Sequence, residues 1–234
     1  MDENGMDGKE TGGTPVFMAL PVPETADSDP FHRCLTDVVR VLGLDVVRVP
    51  GSDDRRWGHR VRAALREACE QDATAFPEAS FEVLIRAAVH DPNPSFNRWF
   101  VEAALNAFGR RRVRFRLIDH LRTGTDTERA GAARAWYWTA LPLDHPRRGP
   151  AGPGGAGAEV DDGSVAVREW REAALQEFVG NEHLEVRRCI LPVLPLRLSA
   201  YPPELQHLVG EAVAIARSHP DDYLRHRVEH QIRD

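Results

Sequence analysis

The sequence has almost no lysine and no long apolar run. Lys9 is the only lysine among 30 basic residues, a bias that we attribute to a GC-rich bacterial genome, so the number of arginines alone does not indicate phosphate binding. No apolar run approaches the roughly 20 residues that span a bilayer, and the N-terminus lacks the basic start and apolar stretch of a signal peptide. We therefore expect a cytoplasmic protein without a membrane partner.

Cysteine and the common catalytic motifs are scarce too. Cys34, Cys69 and Cys189 lie far apart in apolar, periodic stretches and form no CxxC pair, which predicts reduced thiols in or near the core. The sequence contains neither a phosphate-binding glycine loop nor a G-x-S-x-G motif. We predict no cofactor, no metal site and no catalytic residue. An enzymatic role is left open, but a non-catalytic one is favoured.

The net charge is confined to the N-terminal region. Residues 1–30 hold seven acids and one base, a net charge of −6 that equals the charge of the whole chain. Residues 31–234 carry 29 arginines and 29 acids, so no overall field attracts them to nucleic acid. Because residues 1–30 also lack periodicity, we predict a disordered acidic tail followed by one folded domain over residues 31–234.

An internal repeat decides the predicted fold class. Residues 91–104, 180–194 and 219–232 follow one pattern: a polar turn, an apolar residue, one or two arginines and a helical apolar stripe. Residues 52–65 and 125–141 match this pattern more weakly. Another short helical pattern precedes most copies. The sequence therefore predicts a succession of helix pairs, each joined by a polar turn.

The spacing of the turns supports a helical repeat. Their intervals are about 39, 34, 56 and 38 residues, close to the period of helical-repeat arrays. The long interval contains residues 142–163, whose glycine and proline content predicts a flexible inserted loop without helix. Thr125 and Glu128 have the Thr-x-x-Glu spacing of a capping box. The turns begin near Ser52, Asp91, Thr125, Asn181 and His219.

Two segments, DPNPSFNRWFVEAALNAFG and NEHLEVRRCILPVL, resemble the second helix of HEAT repeats, which has Asp-Pro at the turn, then Val-Arg and an alanine-rich helix. The resemblance covers roughly residues 52–234. Pro192 and Pro195 depart from the pattern and predict a kinked or shortened helix there. The resemblance implies an all-α, right-handed α-solenoid of about four to five antiparallel helix pairs.

A HEAT-like solenoid implies a binding surface. Its second helices line a concave face that binds extended partners, so we expect a non-catalytic scaffold for a protein or peptide. On that face we select polar positions of the second helices that their register leaves exposed. These candidate binding residues are Asn97, Arg98, Glu102, Arg129, Arg134, Glu185, Arg188, Arg225 and Arg227.

A basic ridge provides the alternative, which is nucleic-acid binding. Eight arginines outnumber three acids in residues 109–134. On a helix Arg112 and Arg116 are neighbours one turn apart, so they form the centre of this ridge. The helix would bury its opposite stripe, which consists of Val113, Leu117 and either His120 or Leu121.

Aromatic residues near this ridge extend the alternative to an enzyme. Arginine together with aromatic rings is the chemistry that stacks on bases, and Trp136 and Trp138 are the candidate rings. Trp99, Phe100 and Tyr137 also lie close to residues 109–134 in the sequence. The combination resembles HEAT-like-repeat alkylpurine DNA glycosylases, although no segment matches their catalytic stretch. That resemblance implies a catalytic carboxylate, for which the candidates are Asp119 and Glu102.

One further motif has a metal-binding pattern. His226, Glu229 and His230 match H-x-x-E-H, in which two histidines hold zinc and the glutamate acts as a base. With ten histidines in the chain, a match this short arises easily by chance. The same residues also occupy ordinary second-helix positions of the last repeat. We therefore interpret the motif as the solvated surface of a terminal helix.

Overall fold

The fold is made of α-helices. The computed structural model describes residues 28–48, 54–140 and 155–233, in which there are ten α-helices and no strand. This confirms the all-α class. The helices are α1 Ser28–Leu42, α2 Asp54–Asp72, α3 Ser80–His90, α4 Arg98–Phe108, α5 Arg110–Thr123, α6 Asp126–Trp138, α7 Gly155–Gly180, α8 Leu184–Ile190, α9 Gln206–Ser218 and α10 Asp222–Arg233.

The even-numbered helices begin close to the polar turns that the repeat predicts. At α6 the predicted capping box is confirmed: Thr125 Oγ1 accepts a hydrogen bond from the Glu128 amide at 3.4 Å, and Glu128 Oε2 accepts one from the Thr125 amide at 2.8 Å. At α10, Asp221 Oδ1 accepts from the Leu224 amide at 3.2 Å. These side chains satisfy amides that have no partner within the helix.

The helices pack in a regular order along the chain. α1 contacts α2, α3 contacts α4, and the same holds for α5 with α6, α7 with α8 and α9 with α10. Every helix also contacts the helix two places later, from α1 with α3 to α8 with α10. Contacts of α3 with α6 and of α4 with α5 join the second pair more closely to the third. Five helix pairs thus follow one another in sequence order.

Arginines of the even-numbered helices connect successive pairs. Arg62 in α2 donates from Nε to Asp91 Oδ2 at 3.2 Å, and both residues are buried. Arg188 in α8 donates to both carboxylate oxygens of Asp221, at 3.3 and 2.5 Å. Asp91 and Asp221 lie in the turns before α4 and α10. Each of these arginines therefore holds the turn of the next pair in place by charge-assisted hydrogen bonds.

The backbones of α3 and α6 approach each other closely in the core. A Cβ added to Gly131 of α6 would lie 1.9 Å from the carbonyl oxygen of Val89 in α3, so the two backbones touch at a residue without a side chain. Trp136 of α6 stacks on Trp170 of α7 with ring centroids 4.1 Å apart and planes at 4°. The predicted apolar stripe of α5 is confirmed, since Val113, Leu117, His120 and Leu121 are all buried.

The cysteines occupy the positions that the sequence predicts. Cys34 and Cys189 are buried, Cys69 is half-buried, and all three are free thiols. Burial raises the pKa of Cys69 to about 12, and the nearby carboxylates Glu102 and Glu70 add to this rise. A thiol with such a pKa stays protonated at neutral pH and is a poor nucleophile.

The two predictions about interrupted helices have different outcomes. α8 ends at Ile190 and is followed by a 3-10 turn over Leu191–Val193 that contains Pro192, which confirms the shortened helix. The prediction that residues 142–163 contain no helix is wrong for residues 155–163, because α7 begins at Gly155. Extending an existing helix adds one hydrogen bond per residue, so the long helix downstream tolerates these glycines. Residues 141–154, and residues 1–27 of the predicted tail, lie outside the described residues.

Candidate binding surface on the even-numbered helices

Arginine and aromatic side chains alternate across α2, α4 and α6. Arg66 of α2 lies over the Trp99 ring at 5.5 Å, and Arg98 of α4 lies 6.0 Å from Trp99 and 5.6 Å from Trp138. Trp138 meets Tyr137 edge-to-face with centroids 5.0 Å apart. We call Arg66, Trp99, Arg98, Trp138 and Tyr137 the arginine–aromatic row. Cation–π contacts of this kind keep guanidinium groups against ring faces without removing them from water.

A buried asparagine fixes the Trp138 end of the row. Trp138 Nε1 donates hydrogen bonds to Asn97 Oδ1 at 2.7 Å and to the Pro94 carbonyl at 3.1 Å. Asn97 is completely buried, and its Nδ2 has no hydrogen-bond partner among the described residues. We expected Asn97 to be an exposed binding residue, and that expectation of exposure is wrong. Its place at the α4 start, under Trp138, accounts for the burial.

Acidic side chains moderate the charge of the row. Arg98 Nε donates to Glu102 Oε1 at 2.6 Å, and Arg66 lies 3.5 Å from Glu70 Oε1. Both pairs follow the i,i+4 spacing of a helix surface. The row therefore combines apolar rings with neutralised guanidinium groups and is not a strongly positive patch.

The row remains accessible at both ends and along its length. Tyr137 is 55% exposed, and the Arg66 side chain is 57% exposed. Trp99, Arg98 and Trp138 are half-buried, because each rests on its own helix or on a neighbouring one. A partner that covers the row would thus bury aromatic surface that folding alone leaves in contact with water.

The predicted binding residues on α6, α8 and α10 are mostly held by their own chain. Arg134 Nη1 donates to Cys189 Sγ at 3.4 Å. Arg188 donates to Glu185 at 2.9 Å as well as to Asp221. Arg225 donates to the His219 carbonyl at 2.5 Å and pairs with Asp222. Arg227 is half-buried, and its Nε has no partner among the described residues.

Arg129 lines an open polar depression between α6 and the turn before α8. The depression has a volume of about 710 Å³. Arg129 Nη1 lies 3.3 Å from Glu177 and 3.5 Å from Asp126, and Asn181 Nδ2 donates to both carboxylates at 2.7 Å. These contacts join α6 to α7 and to the turn before α8, as the contact of Arg188 joins α8 to the turn before α10, although Arg129 Nε has no partner among the described residues. It is lined by Asp126, Arg129, Glu177, Gly180, Asn181, Glu182 and His183.

The four residues of the nucleic-acid alternative do not come together. Arg112 pairs with Glu78, and Arg116 lies 3.0 Å from Glu82, so both arginines join α5 to the preceding α3 region. Trp136 is buried in its stack on Trp170. Trp138 alone belongs to the arginine–aromatic row. The two central arginines of the ridge are therefore each paired with an acid.

The catalytic candidates have ordinary surface surroundings. The Glu102 carboxylate accepts a hydrogen bond from Arg98. Asp119 is an exposed residue 3.9 Å from Arg116. In the H-x-x-E-H motif, Glu229 accepts a hydrogen bond from Arg217 of α9 at 2.7 Å. The part of the chain that the structure describes holds no group of three or more histidine, cysteine or carboxylate side chains arranged to bind a metal.

Helical register alone does not predict that Arg66, Trp99 and Tyr137 share one surface. The predicted binding residues do not include Arg66, because nothing in the sequence indicates that this residue of α2 faces Trp99. Trp99 and Tyr137 stand out in the sequence only as aromatic residues near other candidates. These three residues lie on one surface because α2 packs against α4 and α4 packs against α6.

Comparison with known proteins gives no match: no family model, no curated protein and no solved structure is similar to the chain. The resemblance to HEAT repeats therefore rests on the residues of the chain alone. Within the described ranges, no helix combines the length and the apolar character needed to cross a membrane.

Proposed function

We propose that this chain is a HEAT-like α-solenoid that acts as a non-catalytic scaffold and binds a protein or peptide partner along its even-numbered helices. The packing order supports the solenoid, because each helix contacts its pair mate and the helix two places later. The arginine–aromatic row supports the binding function. A cytoplasmic location remains a prediction from the sequence.

The composition of the row suits a protein partner. Trp, Tyr and Arg are the residues most enriched at the energetic centres of protein interfaces. Tyr and Trp supply a large contact area while only two side-chain torsions become fixed. Because Glu70 and Glu102 neutralise the two arginines, the surface lacks the net positive charge on which phosphate binding depends.

The dimensions of the row suit an extended peptide. Packed helices lie about 8–10 Å apart, so a row across α2, α4 and α6 extends over about 20 Å. An extended chain covers about 3.3 Å per residue, which corresponds to roughly six residues. We propose that apolar side chains of the peptide pack between the rings of Trp99, Trp138 and Tyr137, and that its acidic or carbonyl groups meet Arg66 and Arg98.

Selection of peptides tests this function. A random peptide library is displayed and selected against the full chain, and the affinity of each enriched peptide is measured by fluorescence polarisation. Trp99→Ala should raise the Kd about 30-fold, as expected for a contact worth about 2 kcal/mol, and Tyr137→Ala, at the end of the row, should raise it by a smaller factor. Arg168→Ala is the matched control, since Arg168 is exposed on α7 away from the row.

Three outcomes oppose the proposal or favour its alternative. If no peptide is enriched, or if enriched peptides bind the Trp99 and Tyr137 variants as tightly as the wild type, the row is not the binding surface. A gel shift with duplex or single-stranded DNA at low salt that disappears as salt rises would favour nucleic-acid binding. Circular dichroism spectra of the variants establish that they are folded.

A further inference from the structure

The last helix carries two histidines whose ring nitrogens nearly touch. His226 and His230 are separated by one turn of α10, and both are exposed. Their Nε2 atoms lie 3.1 Å apart, with ring centroids 4.4 Å apart and planes at 66°. Two protonated imidazoles would repel each other at this distance. At this distance one ring can donate an N–H hydrogen bond to the other, or both nitrogens can bind one cation.

The separation of the nitrogens matches that of a chelate. A Zn²⁺–N bond is about 2.0–2.1 Å long. Two such bonds at the angles of octahedral or tetrahedral coordination, about 90° to 109°, place the nitrogens about 2.8–3.4 Å apart. The observed 3.1 Å between His226 Nε2 and His230 Nε2 lies within this range. An ion can therefore be bound by both nitrogens without a change of backbone.

The glutamate of the motif is not part of this arrangement. Glu229 lies between the two histidines in sequence, but its carboxylate accepts a hydrogen bond from Arg217 of α9. No third histidine, cysteine or carboxylate completes a metal group in the described ranges. Catalytic zinc sites have three protein ligands plus a water. The pair on α10 thus offers two ligands, and water supplies the others.

We propose that His226 and His230 form a two-histidine binding site for a late first-row divalent transition-metal ion such as Zn²⁺. Imidazole nitrogen is a preferred ligand of zinc, copper and nickel, whereas Mg²⁺ and Ca²⁺ prefer oxygen. The site binds the ion only when α10 is helical, because the two rings meet only at that spacing. Metal binding consequently stabilises α10, and it does not supply a hydrolytic centre.

Calorimetric titration of the full chain with Zn²⁺ tests the site. After treatment with a chelator, the protein at pH 7.5 should bind one Zn²⁺ at this site. His226→Ala and His230→Ala should each weaken binding on the order of tenfold or more, because the second imidazole is held at a high effective concentration. The midpoint of thermal unfolding should rise with Zn²⁺ in the wild type and not with Ca²⁺.

Two control variants show whether Zn²⁺ binding belongs to this pair of histidines. His207→Ala removes another exposed histidine, on α9, and should leave Zn²⁺ affinity unchanged. Glu229→Gln should also leave the Zn²⁺ affinity unchanged. A loss of affinity would show that Glu229 is a ligand and would contradict a site of two histidines. Absence of Zn²⁺ binding, or equal binding by the wild type and the two His→Ala variants, overturns the proposal. Circular dichroism shows whether α10 keeps its helix in each variant.

Discussion

Replacing Asp91 with alanine should destabilise this protein strongly. Asp91 is fully buried, and its carboxylate accepts hydrogen bonds from Arg62 Nε at 3.2 Å and from the Asn93 amide at 2.9 Å. Burial raises the pKa of Asp91, and the adjacent Arg62 guanidinium opposes that rise. The guanidinium carbon lies 5.2 Å from the ring centres of Phe31 and of Phe96. Removing the carboxylate leaves this cation in the core without its anion.

The size of the effect follows from the partners that are lost. Breaking a buried ion pair by removing one member costs about 3–5 kcal/mol. Losing the hydrogen bond from the half-buried Asn93 amide costs about 0.5–1.5 kcal/mol more. We therefore expect Asp91→Ala to cost at least about 3 kcal/mol. Asp91→Asn should recover only part of this loss, because its single amide oxygen can accept from Arg62 or from the Asn93 amide but not from both.

Urea unfolding followed by circular dichroism at pH 7 measures this loss. The matched control is Asp37→Ala, since the half-buried Asp37 pairs with the exposed Arg40 at 2.9 Å and with Arg86 at 3.8 Å, and solvent-exposed pairs of this kind contribute at most about 1 kcal/mol each. A double variant, Arg62→Met with Asp91→Ala, should recover part of the lost stability because no unpaired charge remains. If Asp91→Ala costs no more than Asp37→Ala, the ion pair does not hold α2 to the next turn.

Two further predictions concern α6 and the effect of pH. Gly131→Ala should lower the thermal midpoint sharply because its Cβ would meet the Val89 carbonyl at 1.9 Å, whereas Gly210→Ala, with nothing within 4 Å, should raise it slightly; equal midpoints would contradict the close approach of α3 and α6. Burial lowers the pKa of His90 and of His120, so the unfolded chain binds protons more tightly. The stability that these two histidines contribute is therefore fully present above about pH 6.5, and it should decline as the pH falls below that value. In urea unfolding at pH 7.5 and 5.5, the variant with both histidines changed to glutamine should lose less stability than the wild type.

The basic ridge of α5 shows what helical register can and cannot predict. Register placed Arg112 and Arg116 on one face of a helix and the apolar stripe on another, and the stripe is indeed buried. Register cannot say which side chains lie opposite. The acids that meet these arginines, Glu78 and Glu82, are each 34 residues earlier in the chain. The two arginines of the ridge therefore form ion pairs that join α5 to α3 and to the turn before it.

The candidate binding surface was only partly predictable for the same reason. Arg98 and Glu102 were selected as exposed positions of α4, but both are half-buried and pair with each other, as their spacing of four residues allows. Asn97 was expected to be exposed, but Trp138, 41 residues later, covers it and donates to its Oδ1. Its burial depends on the packing of α6 against α4, and no local pattern reports that packing.

The sequence by itself determined the local features of this protein. The capping box of Thr125 and Glu128, the shortened α8 at Pro192 and the polar turns before the even-numbered helices all depend on residues within a few positions of one another. Only the tertiary structure decided how the helices use their surfaces. The stack of Trp136 on Trp170 and the contact of Arg66 with Trp99 join residues more than 30 positions apart. Such contacts arise from helix packing, in which side chains of several helices share one environment.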